Sequence, residues 1–77
     1  MIQVGAFDVE AEAKDRLTSV QDLAKDLLGA ADPFTEKVQK GDRAIYRARF
    51  AGLDQEHAEA ACKHLKHSDI ACMTLKN

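Results

Sequence analysis

The chain has 77 residues, enough for one domain with a modest core. Its 11 Lys and Arg against 13 Asp and Glu leave a formal net charge of −2, which argues against blanket attraction to nucleic acid or to an anionic membrane. No apolar run reaches the length of a membrane span and no signal peptide stands out, so direct membrane insertion is not expected.

Ile2-Gln3-Val4-Gly5-Ala6-Phe7 alternates as a strand does, with Ile2, Val4 and Ala6 on one face and Gln3, Gly5 and Phe7 on the other. Gln3 and Gly5 leave room on the second face for a ligand to approach the backbone. Asp8 is a good N-cap, and Glu10 and Glu12 suit the first turn of a helix. From Val9 to Leu28 apolar residues recur at threes and fours: Ala13, Leu17, Val20, Ala24, Leu27 and Leu28. Gly29 is expected at C′, and Pro33 lies beyond the end of the helix.

Phe34 to Gln39 reads as a second strand. Turning Phe34 and Val38 inward carries Glu36 inward as well, so an edge strand is expected, with Glu36 near its rim. Lys40-Gly41-Asp42 is a hairpin turn. Arg43 to Phe50 is the third strand. Arg47 and Arg49 cannot both sit unpaired in so small a core, so they face outward with Ile45, and Tyr46, Ala48 and Phe50 face inward. Asp54 is a second N-cap. The helix from Asp54 to His67 buries Ala58, Ala61, Cys62 and Leu65, and its last turns carry Lys63, His64, Lys66 and His67, which suit the dipole. Ser68 and Asp69 turn the chain into a fourth strand, Ile70 to Leu75.

Each half is thus strand, helix, strand, and Phe7-Asp8-Val9-Glu10 is echoed by Leu53-Asp54-Gln55-Glu56. Two such units predict an α+β, ferredoxin-like βαββαβ domain: a four-stranded antiparallel sheet with two helices on one face. RNA-recognition domains share that arrangement, so the fold alone does not choose a function.

No catalytic set, phosphate loop or metal spacing is present, so neither an enzyme nor a cofactor is expected. Cys62, His64 and His67 are close in sequence, but residues 62 and 64 diverge on a helix. The open sheet face is expected to display Gln3, Gly5, Ile45, Arg47, Arg49 and Met73, with Lys37 and Gln39 adding to it from the second strand. Phe7 either faces outward or tucks under the first helix, and packing is favoured. Cys62 and Cys72 are either two buried thiols or a disulfide. With Cys72 inward, Ile70, Cys72 and Thr74 face the core. The opposite phase would bury Ala71, Met73 and Leu75. The disulfide phase is preferred.

Ile2-Gln3-Val4-Gly5-Ala6-Phe7 with its Ala/Glu-rich helix resembles the opening of a SPOR domain, the peptidoglycan-binding module of bacterial envelope proteins. Tyr46-Arg47-Ala48-Arg49-Phe50 and the Ala-rich helix after it resemble that family's third strand and second helix. Ile45 is aliphatic at a position that is often aromatic in the family, and Ala51-Gly52-Leu53 departs from its usual Gly-Pro-Phe-like ending. The resemblance implies the ferredoxin-like fold, a noncatalytic function and a periplasmic location whose oxidising conditions suit a disulfide. It implies residues 1–77 as a monomeric module of a longer cell-wall or division protein, such as a D-alanyl-D-alanine carboxypeptidase. It also implies peptide-free glycan strands as the ligand, with Gln3 at the family's first-strand glutamine. Single-stranded RNA binding, or protein interaction through the open sheet, is the alternative. RNA binding would call for exposed aromatics on the central strands and a basic surface.

Overall fold

The computed structural model describes residues 1–75. In chain order it comprises β1 (Ile2–Phe7), α1 (Glu10–Leu23), α2 (Lys25–Leu28), β2 (Asp32–Lys40), β3 (Arg43–Ala51), α3 (Gln55–His67) and β4 (Met73–Thr74). The four strands form one antiparallel sheet in the order β2-β3-β1-β4, as the ferredoxin-like reading requires. The helices cover one face. Between them and the sheet lie Ile2, Val4, Ala48 and Phe50 from the strands, Ala13, Leu17 and Val20 from α1, and Ala58, Ala61, Cys62 and Leu65 from α3. Burying this apolar set is what holds so short a chain together.

The first helix differs from its expected form at both ends. Val9, not Asp8, stands at the N-cap of α1, and no side chain caps it. Asp8 instead pairs with Arg43 at 3.3 Å. The expected continuous helix breaks at Ala24, where φ is −125°, and resumes as the single turn of α2. The Gln21 amide donates to the Leu28 carbonyl at 2.9 Å and so ties α2 back onto α1. Gly29 is in right-handed helical conformation, so C′ freedom is not its role. A Cβ there would lie 2.6 Å from the Lys25 carbonyl oxygen, so close packing is what requires glycine.

α3 begins as expected. The Asp54 carboxylate accepts the His57 backbone N–H at 2.8 Å and contacts the His57 ring at 2.7 Å. The backbone bond first, and the ring second, hold this carboxyl below the ordinary carboxylate range. At the other end the Ile70 N–H reaches the Leu65 carbonyl and the Asp69 N–H reaches that of Lys66, with Asp69 at φ 59°. This is a Schellman closure with an aspartate in the left-handed position. Ile70 then packs against the core.

Cys62 and Cys72 form a disulfide, with Cα atoms 5.2 Å apart. It ties the buried stripe of α3 to the residue before β4. The fourth strand is shorter than the expected Ile70–Leu75 and pairs with β1 only through Ile2–Thr74 and Gln3–Met73. Ile70 and Cys72 face the core as expected, whereas Thr74 is exposed at the sheet edge.

Two further differences reset the sheet faces. β1 carries a bulge: Gln3 pairs with Arg49, yet Gly5 pairs with Ala48 and Ala6 with Arg47. The extra residue at Val4 moves Gly5 and Phe7 to the helix side and Ala6 to the open face. Phe7 therefore packs on the core, with the Arg16 guanidinium 5.6 Å from its ring centroid. The second difference is the phase of β2. The β2–β3 loop holds only Gly41 and Asp42, with Lys40 paired to Arg43. Gly41, at φ 58°, takes the first loop position, where a two-residue hairpin favours glycine. A three-residue turn Lys40-Gly41-Asp42 would have paired Gln39 with Arg43. The one-residue difference exchanges the faces of the whole strand. Phe34, Glu36 and Val38 consequently share the open face with Arg49, Arg47 and Ile45, and Lys37 and Gln39 lie on the helix side.

Candidate functional site

The side chains of the open face fall into rows across the strands. The first row is Phe34 on β2, Arg49 on β3, Gln3 on β1 and Met73 on β4. The second is Glu36, Arg47 and Ala6; the third is Val38 and Ile45. Phe34, Val38 and Ile45 are partly buried but none packs against the core, consistent with their place on the uncovered side. Met73 is 53% exposed. The first row therefore offers apolar side chains at the two edges of the sheet and polar ones between them.

The polar centre is built by three strands. The Arg49 Nε–H donates to Gln3 Oε1 at 3.1 Å. Its Nη1 forms an ion pair with the Glu36 carboxylate. The Arg49 side chain is only 13% exposed, against 46% for Glu36. A guanidinium so far out of water needs a paired charge, and Glu36 supplies it. Glu36 thus has a role that inward burial would have denied it. Arg47, in the next row, makes no hydrogen bond or ion pair among the described residues. Of the two arginines, it is the one without an ion-pair partner among the described residues, although Glu36 stands opposite it on β2.

Five of the six side chains expected on this face are there: Gln3, Ile45, Arg47, Arg49 and Met73. Gly5 is the correction. The bulge turns it toward the helices, where a Cβ would stand 2.7 Å from the Phe7 ring. Ala6 takes the open position beside Arg47 and keeps the strand low there. Phe34, Glu36 and Val38 were missed. The signal that would have found them is Glu36 itself: a carboxylate is stable on the arginine face and costly on the other. Cys62, bonded to Cys72, is no thiolate ligand, and no group of three His, Cys, Asp or Glu side chains converges among the described residues. No helix among the described residues is long and apolar enough to cross a membrane.

The family model of the SPOR domain matches residues 1–76. The chain belongs to the SPOR family. SPOR domains bind peptidoglycan, are not themselves enzymes, and occur in bacterial cell-envelope proteins. Comparison with curated proteins and with solved structures gave no match. Within this SPOR domain, the uncovered sheet face gathers both polar and apolar side chains.

Proposed function

We propose that this SPOR domain binds peptidoglycan glycan strands across its open sheet face and prefers strands stripped of their stem peptides. The observation that carries this reading is Arg47, whose side chain has no partner among the described residues, beside the Gln3–Arg49–Glu36 cluster on a face that no helix covers. Removing a stem peptide leaves a lactyl carboxylate on each muramic acid. Arg47 can take such a carboxylate through charge-assisted, bidentate hydrogen bonds. Arg49, already paired with Glu36, contributes less of its charge. A strand that keeps its peptides offers an amide there instead of an anion.

The domain acts as a monomeric, noncatalytic module of a longer protein in the bacterial periplasm. It brings a cell-wall or division protein, such as a D-alanyl-D-alanine carboxypeptidase, to sites where amidases have bared the glycan. The RNA-binding reading is less well supported. It needs aromatics on the central strands of the open face, whereas Phe7, Tyr46 and Phe50 all pack on the helix side.

Co-sedimentation with purified sacculi tests the proposal. Pelleting should rise after amidase treatment and fall in Gln3→Ala. Arg47→Ala should cost roughly tenfold in affinity, the scale of one charged hydrogen-bonded contact, and should lose the preference for amidase-treated wall. Equal binding to peptide-bearing and peptide-free strands would remove the carboxylate rationale. Absence of pelleting in both samples would overturn glycan binding.

A further inference from the structure

The geometry points to a fixed polarity of the Gln3 amide, which makes its Nε2, at the centre of the open face, a reader of hydrogen-bond acceptors, with the glycan's acetamido carbonyls as its targets. This inference rests on the glycan-binding reading above. A guanidinium carries five N–H donors and no acceptor. The Arg49 Nε–H must therefore meet the oxygen of the Gln3 amide, which it does at 3.1 Å. The flipped amide would set donor against donor. Arg49 cannot readily swing away, because Glu36 holds its Nη1 from the neighbouring strand and its side chain is largely buried. Glu36 and Arg49 are thus positioning residues: a relay across β2, β3 and β1 orients the amide.

The consequence concerns Gln3 Nε2. It has no hydrogen-bond partner among the described residues, and no buried side-chain nitrogen or oxygen there lacks a partner, so Nε2 is open to solvent. The same reasoning leaves the Arg47 guanidinium open. Besides the half-exposed Glu36 carboxylate on the β2 side, the centre of the face offers the Gln3 NH2 and the Arg47 guanidinium, and both of these only donate. Such a pair suits acetamido carbonyls and carboxylates. It suits hydroxyls less well, and the ammonium of a de-N-acetylated sugar gives the Gln3 NH2 no acceptor to donate to. The glycan is thereby read by its acetyl groups as well as by its bared carboxylates.

The test uses peptide-free peptidoglycan glycan strands before and after chemical N-deacetylation, titrated into the 15N-labelled domain. Wild type should bind the deacetylated strands about tenfold more weakly or worse, and the Gln3 side-chain NH2 signals should shift with the acetylated strands. Gln3→Glu keeps an oxygen for Arg49 but replaces the donor by an acceptor, so its affinity for acetylated strands should fall by a similar factor. In ligand-free protein, Glu36→Ala should lower the order of the Gln3 side-chain amide while the backbone spectrum stays folded; Glu36→Gln, which can still accept from Arg49, should retain much of it. Equal affinity for acetylated and deacetylated strands, or unchanged binding by Gln3→Glu, overturns the inference even though glycan binding stands. If wild type binds neither strand, the glycan reading fails and the acceptor specificity fails with it. The ligand-free amide then decides the relay: loss of order in Glu36→Ala upholds it, and unchanged order overturns it.

Discussion

Gly5 shows how a single residue can hold a place for a reason other than the one its position suggests. Its missing side chain makes room for the Phe7 ring, two residues along on the same side of the bulged strand. Phe7 in turn packs on the core beneath Arg16. Gly5→Ala would drive a methyl group into that ring. The expected result is a folded protein less stable by about 1–3 kcal/mol, the usual cost of overfilling a packed site. Urea unfolding measures it, and an unchanged midpoint would show that Phe7 moves aside freely. Arg49 was legible as an outward residue from charge alone, because two unpaired guanidinium groups cannot be buried in so small a core. Its partner was not legible, since Glu36 lies on another strand and pairing depends on register.

At the scale of elements, β4 is the weak member. It has two residues, and among the described residues it meets β1 through Ile2–Thr74 and Gln3–Met73, with the Leu75 N–H donating to the Met1 carbonyl just beyond. The disulfide compensates by fastening Cys72 to α3, ten residues away in sequence. Closing so short a loop removes about 3 kcal/mol of unfolded-chain entropy on the loop-length model, a large share of the stability of a small domain. Reduction should lower the melting temperature and loosen Met73 from Gln3 while leaving the β2–β3 hairpin in register. A melting curve indifferent to reductant would contradict this. The helical stripe of α3 and its Asp54 cap were readable from spacing, whereas the inward phase of Cys72 rested on pairing it with Cys62, since hydrophobicity alone would bury Ala71, Met73 and Leu75. The break at Ala24 was not, because the buried stripe of Ala13, Leu17, Val20, Ala24 and Leu28 runs through it without a proline or glycine.

For the whole molecule, the division into a covered and an uncovered sheet face decides where a ligand can lie. Addition of peptide-free glycan strands should shift backbone amide signals in β1, β2 and β3 and leave the outer faces of α1 and α3 unchanged; perturbation centred on the helices would move the site off the sheet. The sequence by itself determined the α+β architecture, the order of the elements, the phase of β3 and the family, because alternation, capping residues and charge act locally and need no partner strand. Only the tertiary structure decided which residues of β1 beyond Val4, and which residues of β2, face the open side of the sheet. A strand's period divides its residues into two sets but does not say which set meets the helices. That choice is made by pairing: one bulge residue in β1 and a two-residue hairpin loop each exchange the faces, bringing Ala6, Phe34 and Glu36 to the site and taking Gly5 away from it.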